Sequence, residues 1–163
     1  SINFPLLQSG DNTKYLKTTY NGSYSTLGSI FLDYRVNRDF TSRNTVIYGH
    51  NGNYNVKFGV LINLKKLSYY KTHPDFYILT EAGIKHYQIF SAYITDAYSD
   101  SYQIYFSGDD MYQQFLDKIT AQSAVDTGIK PTASDLIVTL STCTNNRSNK
   151  DERFVVHGRL VAE

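Results

Sequence analysis

Two runs of β-branched and aliphatic residues near the C-terminus, LIVTL (136–140) and FVVHGRLV (154–161), constrain this chain more than any other feature. Both read as strands. Between them, TNNRSNKDE (144–152) holds no aliphatic or aromatic side chain, so it belongs at the surface. A strand, a short polar loop and a second strand predict two neighbours that pair antiparallel. If they do, residues at the two ends of the loop face each other about 5 Å apart. Cys143 and Arg153 occupy those ends.

Shorter runs upstream repeat the strand pattern. Gly28 to Asp33 (GSIFLD) and Thr45 to Tyr48 (TVIY) are strand candidates, the second closed by Gly49 and an Asn51-Gly52 turn. DFYILT (75–80), a turn at Glu81-Ala82-Gly83 and IKHYQIFSAYI (84–94) predict a hairpin. Leu61, Leu64, Leu67 and Tyr70 recur at three-residue steps and predict a short helix before Pro74. After Ser107, a candidate N-cap, the residues Met111, Phe115, Leu116 and Ile119 form a helical apolar stripe. The expected class is mainly β, a closed or nearly closed barrel carrying two or so helices as insertions.

With 163 residues, the chain fits one domain over 1–163 and can bury a core without disulfides or a metal. Its 16 basic and 15 acidic residues leave a net charge of +1, and no basic run interleaves with aromatics, so no nucleic-acid partner is expected. The single cysteine rules out an internal disulfide, and the four scattered histidines do not give zinc-ligand spacing, so neither metal nor cofactor is expected. No apolar run approaches the roughly 20 residues of a membrane span, and the opening residues lack a signal-peptide layout.

Cys143, at a strand exit with polar neighbours and a nearby cation, suits a nucleophile, because positive neighbours favour the thiolate. The Arg153 guanidinium can also hold the oxygen that gains charge when a carbonyl is attacked. A thiol nucleophile wants a proton-transfer group, usually His. His157 lies about 13 Å beyond Arg153 along the same strand. His73 precedes Pro74, and His86 lies inside a strand run. His50, at a strand exit after TVIYG, ranks first.

TLSTC (139–143), RFVVHGRLV from Arg153 and NTVIYGHN (44–51) together resemble the sortase superfamily, and class B in particular. DNTKYL (11–16), GSIFLDYRVN (28–37) and the helical insertion after Ser107 agree, so the resemblance spans nearly the whole chain. It implies an eight-stranded sortase-type β-barrel, with one helix in the long connection before the Cys-bearing strand. It implies a cysteine transpeptidase that cuts a C-terminal sorting signal (NPxTN/PxTG-like) after Thr and joins it to a peptidoglycan amine. In that reaction Cys143 is the nucleophile, His50 the proton-transfer group and Arg153 the oxyanion stabiliser. Asn12, Leu16, Ser141, Thr95 and Tyr98 are the implied substrate-groove residues. Partners would be the sorting-signal peptide and the wall amine. The enzyme would stand on the extracellular face of the cell membrane, anchored by an N-terminal segment that this chain lacks. Class B members often carry an acidic residue after the cysteine, where this chain has Thr144. A hydrolytic cysteine peptidase and a non-catalytic surface module binding peptide or glycan are the alternatives.

Overall fold

The computed structural model describes residues 2–162. The outermost residues of the expected 1–163 domain lie outside that range. In chain order the strands are β1 (Leu6–Leu7), β2 (Ile30–Leu32), β3 (Asn44–Tyr48), β4 (Asn51–Gly52), β5 (Val56–Lys57), β6 (Asp75–Thr80), β7 (Gly83–Asp96), β8 (Ile137–Cys143) and β9 (Glu152–Leu160). Helix α1 is Leu67–Tyr70 and helix α2 is Asp109–Ala121.

Seven strands form one curled sheet in the order β1-β2-β3-β8-β9-β7-β6, and β4 pairs only with β5. The β8–β9 hairpin is antiparallel as expected. β3 instead runs parallel to β8, so the chain crosses from one side of the sheet to its centre between them.

Side chains alternate across the two central strands, and each face buries its own cluster. Val138, Leu140, Phe154 and Val156 pack with Phe58, Leu61 and Leu64 on one face. Ile137 and Val155 pack under Phe115, Leu116 and Ile119 of α2 on the other. With both faces covered, these strands read as continuous apolar runs rather than alternating ones. Each large side chain that α2 buries contributes roughly 1.5–3 kcal/mol.

The barrel is mainly β, as expected, yet it is neither eight-stranded nor closed among the described residues. β1 is two residues long, follows Pro5, which has no N–H to give, and pairs only with β2. β6 pairs only with β7, so no ladder joins the two edges.

The helices also differ in detail. The three-residue repeat at Leu61, Leu64 and Tyr70 lies mostly on a 3-10 segment, Gly59–Lys65, whose period is three, and only Leu67–Tyr70 is α-helical. In α2, Tyr112 takes the buried place assigned to Met111, which is exposed. The set 112, 115, 116 and 119 is the truer helical stripe. Gly108, not Ser107, precedes the helix, and no side chain caps it.

Candidate active site

The register of three strands assembles the site. In the parallel β3–β8 pair Tyr48 lies opposite Ser141. Two residues further along each chain come His50 and Cys143, so both emerge at the same end of the sheet. Gly49 N–H donates to the Ser141 carbonyl at 3.1 Å and carries the ladder one step past β3. On the other flank, antiparallel β8–β9 pairing sets Cys143 directly opposite Arg153. His50, Cys143 and Arg153 all line the cleft formed at this end of the sheet.

Tyr48, His50, Ser141, Cys143 and Arg153 all line one cleft of about 350 Å³, shared with Asn12, Leu16, Phe31, Arg35, Ala97 and Tyr102. The two-residue spacing within each chain places Tyr48 with His50, and Ser141 with Cys143, on one face. Cys143 is half-buried and free of any disulfide.

Each candidate has a definite local support. The His50 ring donates from Nε2 to the Leu16 carbonyl at 2.7 Å, which leaves Nδ1 available for proton transfer. Its own carbonyl accepts from Phe58 N–H at 2.9 Å. Arg153 Nη1 donates to the carbonyls of Lys150 (2.8 Å) and Glu152 (3.0 Å), orienting the guanidinium against the loop end. Ser141 Oγ shares a 2.7 Å hydrogen bond with the Tyr102 hydroxyl. Leu16 contributes an apolar edge and is partly exposed.

Asn12 is already committed within the chain. Its Nδ2 donates to Asp33 Oδ2 at 3.0 Å, and its Oδ1 accepts from Tyr34 N–H at 2.9 Å. Thr95 and Tyr98 do not line the cleft. Thr95 pairs with Arg153 across β7–β9, and Tyr98 is 85% exposed. Ala97 and Tyr102 form that wall instead.

Beneath the cleft lies a hub that sequence reading missed. The Asp33 carboxylate, wholly buried, accepts from Arg35 Nε (2.9 Å) and Nη2 (2.8 Å), Arg35 N–H (3.0 Å), the Tyr48 hydroxyl (2.9 Å) and Asn12 Nδ2. Burial works to raise its pKa, but these donors, Arg35 foremost, outweigh it and hold the carboxyl below its ordinary value. Burial, then the Asp33 charge, push the Tyr48 hydroxyl well above its ordinary value, so it stays a donor. The signal was the acid-aromatic-base triplet Asp33-Tyr34-Arg35 directly after an apolar strand.

The place of Thr144 is also resolved. Its hydroxyl donates to Glu152 Oε1 at 2.6 Å, and Asn146 Nδ2 donates to Glu152 Oε2 at 3.2 Å. A carboxylate thus stands beside residue 144, supplied by β9 rather than by the residue after the cysteine. The other histidines lie elsewhere. His73 stacks on Tyr69, His86 pairs with Asp75 at 3.0 Å, and His157 is buried in the core. No cluster of three or more His, Cys, Asp or Glu side chains suited to a metal occurs among the described residues.

The family model described as Sortase domain matches residues 1–161. Sortase B of Staphylococcus aureus is 34% identical over 161 residues, and Sortase B of Listeria monocytogenes 33% over 164, each match covering 99% of this chain. The chain spans 66% of the length of either relative. The solved Staphylococcus aureus sortase B-substrate complex superposes with a TM-score of 0.91 at 34% identity, covering 98% of this chain and 74% of that one. The chain belongs to the sortase family, alongside its class B members.

Proposed function

We propose that this chain is the catalytic domain of a class B-type cysteine transpeptidase acting on surface proteins. The observation that carries the reading is that β8–β9 pairing sets Cys143 opposite Arg153 while both share one cleft with His50. The open cleft suits an extended peptide, and the similar Staphylococcus aureus protein was solved as a substrate complex.

In the first half-reaction the Cys143 thiolate attacks the carbonyl carbon of the Thr in an NPxTN/PxTG-like sorting signal. The electron pair displaced onto the carbonyl oxygen is held by the Arg153 guanidinium. Collapse of that adduct breaks the Thr–X bond, and protonated His50 gives its proton to the leaving amine. The thioester keeps the acyl group activated until a second amine arrives. In the second half-reaction a peptidoglycan amine attacks the thioester, neutral His50 takes its proton, and the thiolate leaves. Asn12 acts on the cleft through Asp33 and Tyr34, while Leu16 and Ser141 border the peptide directly. The working location is the extracellular face of the membrane, with an N-terminal anchor in the full-length protein.

The test is product analysis by mass spectrometry on a sorting-signal peptide, with and without a glycine- or diaminopimelate-bearing amine. The expected outcome is an amine-joined peptide that replaces the hydrolysed one as amine rises. Cys143→Ala should abolish both products, and Arg153→Lys should lower kcat/KM by about 100-fold or more, since a point charge cannot replace a fork of donors. Hydrolysis that no amine ever diverts would leave a peptidase, and full cleavage by Cys143→Ala would remove the nucleophile.

A further inference from the structure

The β3–β8 ladder ends just before the residues that matter most. Its backbone bonds stop at Gly49 N–H to the Ser141 carbonyl. Beyond, Asn51-Gly52 turns away to pair with Val56-Lys57, and Cys143 leads into the polar loop. Two side-chain amides span the resulting gap. Asn51 Nδ2 donates to the Cys143 carbonyl at 2.9 Å, and Asn145 Nδ2 donates to the Asn51 carbonyl at 3.1 Å. They continue by side chain a ladder that the diverging backbones can no longer make. Asn145 holds a φ of 60°, a conformation Asn tolerates better than most residues. Gly59 makes room for the arrangement, because a Cβ there would stand 2.9 Å from Asn51 Oδ1 and 2.6 Å from the Gly52 carbonyl oxygen.

We propose that Asn51 is a positioning residue for acyl transfer: its amide, bonded to the Cys143 carbonyl, sets the separation of the adjacent His50 imidazole from the thiol. The proposal rests on the transpeptidase reading given above. His50 is otherwise tied to Leu16 through its ring and to Phe58 through its carbonyl, and neither tie reaches β8. The Asn51 amide connects the turn that carries the base to the peptide unit that carries the nucleophile. Proton transfer needs heavy atoms about 2.6–3.2 Å apart, directly or through one water, so a brace at this point acts on the chemistry rather than on peptide binding.

The test compares Asn51→Ala, Asn51→Gln and Asn145→Ala with the parent chain. Three quantities are measured: kcat and KM on a sorting-signal peptide, the pH profile of Cys143 alkylation by iodoacetamide, and thermal melting. Asn51→Ala is expected to lower kcat about 10- to 100-fold with KM within about twofold, as a displacement near 1 Å would. It should also move the alkylation profile to higher pH while the melting curve holds. Asn51→Gln, which keeps the donor, should recover part of kcat, and Asn145→Ala should show a smaller loss in the same direction. A kcat within about twofold of the parent in Asn51→Ala, or a loss that merely follows the unfolded fraction, overturns the proposal. If the parent transfers no peptide at all, the transpeptidase reading fails on its own. The alkylation profiles then still decide the brace: a shift supports it, and coincident curves overturn it.

Discussion

His157 and His50 show how one residue type is given two fates by its surroundings. His157 is wholly buried, and the bonding around it is fully accounted for. Asn44 Nδ2 donates to the Gln103 carbonyl, so its Oδ1 accepts the Thr139 hydroxyl at 2.6 Å. Thr139 Oγ1 must then accept from His157 Nδ1 at 2.8 Å, and His157 Nε2 accepts from the Tyr93 hydroxyl at 3.1 Å. This fixes a neutral tautomer, and burial pushes the pKa down to about 3 from 6.5. Because the folded pKa lies below the unfolded one, the unfolded chain binds the proton first. Stability from this group is complete above pH 6.5 and falls as pH drops towards about 3, by up to about 1.4 kcal/mol per pH unit. Urea denaturation of the parent and of His157→Gln, at pH 7 and pH 5, checks this. The variant should lose much less stability over that interval, and parallel losses would contradict the assignment. His50, by contrast, lies at a strand exit and lines the cleft.

At the scale of elements, β9 does two jobs. Its first residues give Glu152 to the Thr144 loop and Arg153 to the cleft, and its last lie against the β6–β7 hairpin. Gly158 is the point of close contact, since a Cβ there would stand 2.5 Å from the Phe76 ring, itself stacked on Tyr87 at 5.1 Å. Gly158→Ala should therefore cost about 1–3 kcal/mol in thermal or urea unfolding while leaving Cys143 chemistry intact. An unchanged midpoint would show that Phe76 moves aside freely. The hairpin that joins Cys143 to Arg153 was legible in the sequence because a wholly polar loop between two apolar runs admits little else. The parallel pairing of β3 with β8 was not, because nothing local to NTVIY or LIVTL names its partner. His50 was therefore found by its strand-exit position and by resemblance, not by register. For Asp33 and Arg35 the triplet after the strand is a weak signal, since an acid and a base two residues apart look like loop charges until the fold buries the carboxylate. Thr95, inside β7 opposite Arg153, and Tyr98, just after it, stand outside the cleft lining, and nothing local to that stretch fixes which residues turn inward.

For the whole molecule, the sheet is an open one whose ends do different things. One end gathers the cleft with its thiol, imidazole and guanidinium. The β1 and β6 edges stay unjoined, because a two-residue strand after a proline cannot close a ladder. Such a scaffold holds the thiol and the guanidinium on paired strands and the imidazole two residues past a third, which favours a single, repeatable geometry over chemistry borne on long loops. The proposed reaction has Cys143 form a covalent acyl bond with a threonine carbonyl. Intact-mass spectrometry of the chain, quenched in acid during turnover of an NPxTN-bearing peptide without added amine, tests it most directly. The expected result is a mass increase equal to the acyl portion ending at Thr, mapped to the peptide containing Cys143 and released by hydroxylamine. Peptide cleavage that proceeds with the adduct on another residue, or that persists in Cys143→Ala, would contradict it.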